Sequence, residues 1–459
     1  MDQANSSTGL TESLSRFIAN PGLDTLPAEA ARIIKTGFTD TVATMIAGRD
    51  EPVVRIVREF VAARQSGARE AQVLLGAEKA ASADAALINA TAAHALDYDD
   101  VALGGHPSTV LVPAILAEGQ RLGVSGAQAL RAYLVGYEVW AELLSREPDA
   151  YHLKGWHPTA VLGTVGAAAA VAYLHRLSAD KCRNAIALAA SMASGLVANF
   201  GTMTKPLHAG RAASCAIDAV RLTVGGLTAA PDAIEHQAGY LAALSPLGRA
   251  DRAGAASALG SELRILDTGL SIKRYPMCYA THRVIDGVLA LATTHDVKPA
   301  DVKEVHASVG AAQASMLRNH APRTGLEAKF SLEFAVASAL VARKVGLGEL
   351  TDEFVARPQV RDVMTRLTIS TTDTHCPVEP VFALTDSVVL ELNDGRTLDS
   401  GEIRFARGNA KLPLDGAELK AKFLDCAAGA AELDAAALYA RFDAIEVLAN
   451  VRDLFFLSL

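Results

Sequence analysis

Apolar residues recur at helical spacing through most of the first 260 positions. From about Asp24 to Leu259, runs rich in Ala, Leu and Val predict helices. These cover Ala28–Ala47, Pro52–Ser66, Ser82–Leu96, Pro107–Leu122, Ala127–Leu144, Pro158–His175, Ala179–Ser194 and Gly210–Val224. Alanine has the best helix propensity, and its small side chain lets neighbouring helices approach closely. Glycines punctuate the runs at Gly104-Gly105, Gly155, Gly201 and Gly225-Gly226. No fixed-period repeat runs through them, which argues against a solenoid.

The pattern changes after about Leu270. Val302–Val309 alternates as a strand, and Val363–Ser370 is a second candidate. Ser387–Leu392 and Arg396–Leu398 flank Asn393-Asp394-Gly395, a hairpin signal. Helices over Tyr279–Thr293 and Leu332–Lys344 interleave with these strands, and helical spacing returns over Gly416–Leu457. The expected fold is mainly α. A large all-helical domain would take residues 1–268 and 405–459, and a smaller α+β lid domain residues 269–404. One large mixed domain is the alternative.

The chain has 459 residues, which two domains accommodate comfortably. Half are hydrophobic and a fifth are charged, so disorder is excluded and a large core is expected. There are 43 basic and 51 acidic residues, a net charge of −8, with no long basic run. A nucleic-acid partner is therefore not expected, and an anionic substrate would need a local positive pocket. Cys182, Cys215, Cys278, Cys376 and Cys426 are scattered and form no CxxC, which suits a reducing compartment. Met1–Gly9 lacks the pattern of a signal peptide. The apolar stretch Thr159–Leu174 is shorter than the roughly 20 residues of a membrane span. A soluble, cytoplasmic protein with no membrane partner is expected.

The chemistry gathers where polar residues stand beside proline. Gly105-His106-Pro107-Ser108-Thr109 and Gly155-Trp156-His157-Pro158-Thr159 each open an apolar run. Thr204-Lys205-Pro206-Leu207-His208 leads into a third, and Lys273-Arg274-Tyr275-Pro276 into a fourth, with Thr281-His282 about a turn inside. Proline is favoured at the first helical position and pushes the residue before it toward the cap. Each His or Lys then lies near unpaired backbone N–H groups and the positive end of a helix dipole, which attract anions. A histidine there is biased toward its neutral form, able to take or give a proton. At least three of these starts are expected to converge on one anion site. It would suit a carboxylate better than a phosphate, because no phosphate-binding glycine loop is evident.

His94-Ala-Leu-Asp97-Tyr-Asp99-Asp100 ends the helix that begins near Ser82. At three-residue spacing His94 and Asp97 would share a face. Carboxylates at a helix C-terminus oppose the dipole, so the segment needs a use. Three remain open: pairing with Lys or Arg, a magnesium site from Asp97, Asp99 and Asp100, or a catalytic cluster in which Asp97 orients His106. Cys278 reads either as a nucleophile or as an inert buried thiol. Ser108 lacks the Gly-x-Ser-x-Gly setting of a nucleophilic serine. His175, His236, His295, His306 and His320 have no partner legible in the sequence.

At these residues the chain resembles the MmgE/PrpD family. The matching pieces are His94–Asp100, Gly105–Ser108, Gly155–Thr159, Phe200–Gly210, Lys273–His282 and Ala328–Leu332, together with Leu412-Pro413-Leu414 and Lys422–Cys426. The resemblance implies a homodimer, an active site between the domains, and no metal or organic cofactor. It implies activity on a small di- or tricarboxylate, most of all as a 2-methylcitrate dehydratase-like hydro-lyase. An iminodisuccinate epimerase-like isomerase and a cis-aconitate decarboxylase-like enzyme are the alternatives. Carried over by motif, the catalytic residues are His106, His157, Asp97, Lys205 and Lys273, and Tyr151, His208, His282 and Tyr275 are the substrate-binding set. Two positions depart from part of the family. Val101 stands where some members have Thr, and Phe334 where some have Tyr, which weighs against decarboxylation.

Overall fold

The computed structural model describes residues 9–22, 25–379 and 382–455. The signal-peptide reading of Met1–Gly9 and the last residues of the Gly416–Leu457 run thus fall largely or partly outside the described residues. Contacts divide the chain into two compact units, Met1–Leu270 with Leu419–Leu459, and Ser271–Glu418.

The first unit is helical: α1 (Leu10–Ala19), α2 (Ala28–Gly48), α3 (Pro52–Ala62), α4 (Ser82–His94), α5 (Pro107–Leu122), α6 (Gly126–Ser145), α7 (Pro158–Leu174), α8 (Ala179–Met192) and α9 (Thr204–Val224). Short helices α10 (Tyr240–Leu244) and α11 (Arg264–Thr268) follow, and a two-residue pair, β1 (Ala71–Gln72) with β2 (Lys79–Ala80), precedes α4. Helices α4 and α7 are buried on nearly every face, as expected of helices apolar all round. They form the centre on which α5, α6 and α9 pack. Close approach rests on glycine. A Cβ on Gly136 would meet the Gly166 carbonyl at 2.7 Å, where α6 crosses α7. Among the described residues no helix is long and apolar enough to cross a membrane.

The second unit is α+β. Its helices are α12 (His282–Thr294), α13 (Ala311–Met316), α14 (Gly325–Ala328), α15 (Leu332–Ala342), α16 (Asp352–Val355) and α17 (Pro358–Met364). Its sheet has the order β4 (Leu367–Thr372), β3 (Val302–Gly310), β5 (Ser387–Leu392) and β6 (Thr397–Asp399). Strands β3 and β4 run parallel, while β5 is antiparallel to both β3 and β6. Alternate residues of β5 are buried among the apolar side chains of α12 and α15. The chain returns to the first unit with α18 (Gly416–Ala427) and α19 (Ala435–Asp443).

Three expectations shift. The return to the first unit comes at Leu419 and not at 405. Residues 405–418 stay with the second unit because Ile272 donates to the Gly408 carbonyl at 2.7 Å and the Arg407 N–H to Asp286 at 2.6 Å. Residues 269 and 270 belong to the first unit, where Tyr137 donates to the Gly269 carbonyl. The second strand begins at Leu367, because Pro358 starts a helix that runs through Val363.

Candidate active site

Two helix starts stand side by side in the first unit. His106 and His157 are the N-cap residues of α5 and α7, with Pro107 and Pro158 as first helical residues. Neither imidazole caps its own helix, so both rings are available to other partners. The Thr159 hydroxyl accepts from the His106 backbone N–H at 3.1 Å, tying one start to the other. Only glycine fits at 105, since a Cβ there would sit 2.9 Å from the Thr159 nitrogen.

The acidic segment does not continue α4. The helix ends at His94, and Asp97 adopts a left-handed φ of 53°, which Asp tolerates better than most residues. Asp97 therefore does not share a helical face with His94. The loop is firmly held. Trp140 Nε1 donates to the Leu103 carbonyl, and Ala102 and Gly105 exchange backbone hydrogen bonds. Ser108 Oγ donates to Asp100 at 2.5 Å and lies 2.6 Å from the Tyr133 hydroxyl. Lys422 of α18 donates to the Tyr98 carbonyl at 2.9 Å.

Held this way, the loop meets α9. Lys205 Nζ donates to Asp97 Oδ1 at 2.7 Å. That lysine lies inside the first turn of α9, which starts at Thr204, with Pro206 in the same turn. A proline there removes no helical hydrogen bond, since the first N–H groups have no partner anyway. His106 Nε2 lies 3.8 Å from Asp97 Oδ1. Its Nδ1 lies 2.8 Å from the Asp100 carbonyl and 3.1 Å from Asp99 Oδ2. Asp99, and not Asp97, is thus the carboxylate nearest His106. His94 Nδ1 meets the two oxygens of the same Asp99 at 2.9 and 3.0 Å. His157 Nδ1 lies 3.2 Å from His208 Nδ1, and its ring packs edge-on to Phe200 at 4.8 Å. The Lys205 ammonium stands 5.4 Å from the centre of the Phe200 ring.

Burial sets the charges. It pushes His94 down to about 4 against the pull of Asp99. It also holds His157 far below the ordinary imidazole range, with His94 and Lys205 adding to the effect. His152 and His208 are lowered by burial in the same way. Burial works against Asp99, but His94 and His106 prevail and keep it ionised. Asp100 goes the other way: burial, with Asp99 and Asp40 nearby, raises it well above the usual carboxylate range. The result is Lys205 beside His94, His157 and His208, whose imidazoles burial biases toward the uncharged form, an arrangement suited to proton transfer beside an anion.

The structure brings together Asp97, His106, His157, His208 and Lys205. Tyr151 is buried, and its hydroxyl has no hydrogen-bond partner among the described residues. Lys273, Tyr275 and His282 lie in the second unit, where all three are buried. Tyr275 donates to Asp286 at 2.6 Å and its ring lies 5.1 Å from that of His282. Pro276 does not open a helix; His282 is the first residue of α12. Phe334 sits wholly inside the apolar core of its unit, 6.1 Å from the Phe354 ring. The sequence reading missed His94 and Asp99 as partners of His106, and Phe200 as the face against His157. His175, read without a partner, meets Glu118 at 2.8 Å.

Donor atoms of His94, Asp97, Asp99 and His106 lie within 4.8 Å of one another and could surround a cation. Two imidazoles suit zinc-like ions better than magnesium, and Asp100, part of the magnesium reading, is taken up by Ser108. A cation would also have to displace the Lys205 ammonium from Asp97. In the second unit a cleft of about 680 Å³ is lined by Arg274, His295, Phe405 and Arg407, and contains none of the expected site residues.

Comparison with known proteins identifies the family. Residues 12–252 match the MmgE/PrpD N-terminal domain and residues 275–443 the MmgE/PrpD C-terminal domain. Cis-aconitate decarboxylase of Homo sapiens is 30% identical over 354 residues, covering 74% of this chain and 71% of that protein. The Mus musculus enzyme is 29% identical over the same length, covering 74% and 70%. Cis-aconitate decarboxylase of Aspergillus terreus is 23% identical over 420 residues, covering 86% and 85%. With both halves of its length matched, the chain belongs to the MmgE/PrpD family.

Proposed function

We propose that this protein is a lyase for a small di- or tricarboxylate, working at the carbon next to a carboxylate without an organic cofactor. The observation that carries the reading is the Lys205–Asp97 pair set beside His106 and the uncharged His157. Breaking a bond at that carbon leaves an electron pair beside a group already negative. The Lys205 ammonium and the N–H groups at the starts of α5 and α7 supply the opposing charge, which gains strength where water is excluded. His106 and His157 carry the proton to or from carbon and the leaving group. Lys273 enters through the family resemblance, as does a homodimer, and a cytoplasmic location rests on the scattered thiols of the sequence.

The decarboxylases among the relatives favour cis-aconitate as substrate. The carbon–carbon bond would break with loss of carbon dioxide, its electron pair would pass into the adjacent double bond, and an imidazolium would protonate the far carbon. Val101, lacking the hydroxyl of part of the family, supports a second reading, dehydration of a 2-methylcitrate-like hydroxy acid. Proton NMR in deuterated water with cis-aconitate, 2-methylcitrate and iminodisuccinate separates them. Carbon dioxide release marks a decarboxylase, alkene formation a hydro-lyase, and deuterium exchange alone an epimerase. Turnover that survives unchanged in folded His157→Ala or Lys205→Ala would defeat the assignment.

A further inference from the structure

Two imidazoles share one buried carboxylate. Asp99 is fully buried between His94, the last residue of α4, and His106, the cap of α5. Both rings turn Nδ1 toward it, His94 at 2.9 and 3.0 Å and His106 at 3.1 Å. The other atom facing His106 Nδ1 is the Asp100 carbonyl oxygen, also an acceptor. An imidazole nitrogen confronted by a carboxylate and a carbonyl must carry the proton. The lone pair of His106 is then left on Nε2, the nitrogen that faces Asp97. For His94, Nδ1 has Asp99 as its hydrogen-bond partner, and its buried Nε2 has none among the described residues.

We infer that Asp99 is a positioning residue for the reaction proposed above, orienting His106 through Nδ1 so that protons pass through Nε2 alone. The inference rests on that reading for its catalytic meaning, but its geometry stands apart from it. When Nε2 takes a proton the ring becomes an imidazolium with both nitrogens protonated, and the Asp99 carboxylate offsets the new charge. When Nε2 gives the proton to carbon the ring returns to the neutral Nδ1–H form. His94 meets both oxygens of the carboxylate and keeps it from turning away. Asp97 cannot serve in this way, because it is bonded to Lys205 and approaches His106 from the Nε2 side.

Asn at this position separates the two jobs. Its amide replaces one acceptor oxygen with an NH2 donor, and because His94 Nδ1 meets both oxygens of Asp99, the NH2 faces that ring in either orientation. The Asp100 carbonyl still accepts from His106, so His94 is the ring that must change. Long-range nitrogen–proton spectra of histidine-labelled protein read each tautomer directly. Neutral His94 and His106 are expected as Nδ1–H in the wild type, and in Asp99→Asn His94 moves to the Nε2–H form while His106 keeps its own. With cis-aconitate, kcat of Asp99→Asn should fall on the order of 100-fold with KM nearly unchanged, as befits a carboxylate that stabilises an imidazolium. A wild-type His106 found as Nε2–H, or a kcat unmoved by Asp99→Asn, would overturn the inference. The tautomers are read without substrate. A wild type that leaves cis-aconitate unchanged therefore counts against the decarboxylase reading and not against the imidazole arrangement.

Discussion

Lys205 and Asp97 join two elements 108 positions apart, the first turn of α9 and the loop after α4, through a contact of 2.7 Å between partly buried groups. Such a pair contributes about 1 kcal/mol to stability, so its position matters more than its strength. Lys205→Ala should lower kcat for cis-aconitate by at least about 100-fold, the usual loss when one donor to a developing anion is removed. Lys205→Arg should recover little, because a planar guanidinium does not place its charge where a compact ammonium does. Steady-state kinetics beside thermal unfolding check both, and the melting temperature of either variant should change by only a few degrees.

Acid sensitivity follows from the uncharged histidines. In the unfolded chain an imidazole takes its proton near pH 6.5, whereas in the folded protein His94 does so at about 4. Between those values the unfolded state binds more protons, so stability falls as pH falls. His94 alone would account for about 3 kcal/mol by the bottom of that window, and His157 acts in the same direction. Buried carboxyls oppose it: burial raises Glu138 to about 7, Asp386 to about 6 and Asp100 well above the usual carboxylate range, and each favours the folded state as it becomes protonated. Urea unfolding from pH 7 to pH 4, compared between wild type and a histidine variant, isolates the histidine share. In His157→Gln the slope between pH 6.5 and 4 should be shallower by up to about 1.4 kcal/mol per pH unit, one proton's worth.

Local rules made part of this legible. Pro107 and Gly123, the latter at a left-handed φ of 72°, bound α5 at both predicted ends, and the two His-Pro starts lie where proline chemistry puts them. Spacing misled where the helix had already stopped. His94 and Asp97 look like one face at three residues apart, but α4 ends at His94 and the turn that follows delivers Asp99 to it. Nothing periodic marks a contact made by a reversed chain. Lys205 is similar: Pro206 suggested a helix beginning after it, whereas a first-turn proline leaves Lys205 inside α9. The meeting of α4 with α9 is a tertiary event, written in small residues whose purpose shows only once the helices touch.

Gly210 is one of those residues. An added Cβ would fall 2.4 Å from the Leu87 carbonyl oxygen and 2.2 Å from Thr91 Oγ1, both on α4. A backbone atom cannot swing aside, so Gly210→Ala must push α4 and α9 apart. Overpacking of this kind costs about 1–3 kcal/mol. The displacement falls on the helix that ends in His94 and the helix that carries Lys205 in its first turn, so activity should suffer more than stability. Circular dichroism melts and cis-aconitate turnover compare the two, and a variant as active as the wild type would show that the helices tolerate the shift.

Below the acidic loop lies a second cation. Lys422 Nζ is 2.5 Å from Asp40 Oδ1, both side chains are almost wholly buried, and the ammonium stands 4.0 Å from the centre of the Tyr98 ring. Through Tyr98, between Asp97 and Asp99, the returning helix α18 supports the loop that carries the carboxylates. Lys422→Met would leave Asp40 charged and unpaired by this lysine, which typically costs about 3–5 kcal/mol. Replacing both, Lys422→Met with Asp40→Leu, should restore most of that stability, because an apolar pair needs no compensation. It should not restore the hydrogen bond to the Tyr98 carbonyl. The double variant is therefore expected to melt near the wild type while turning over cis-aconitate more slowly. Equal recovery of stability and turnover would mean that α18 has no part in holding the loop.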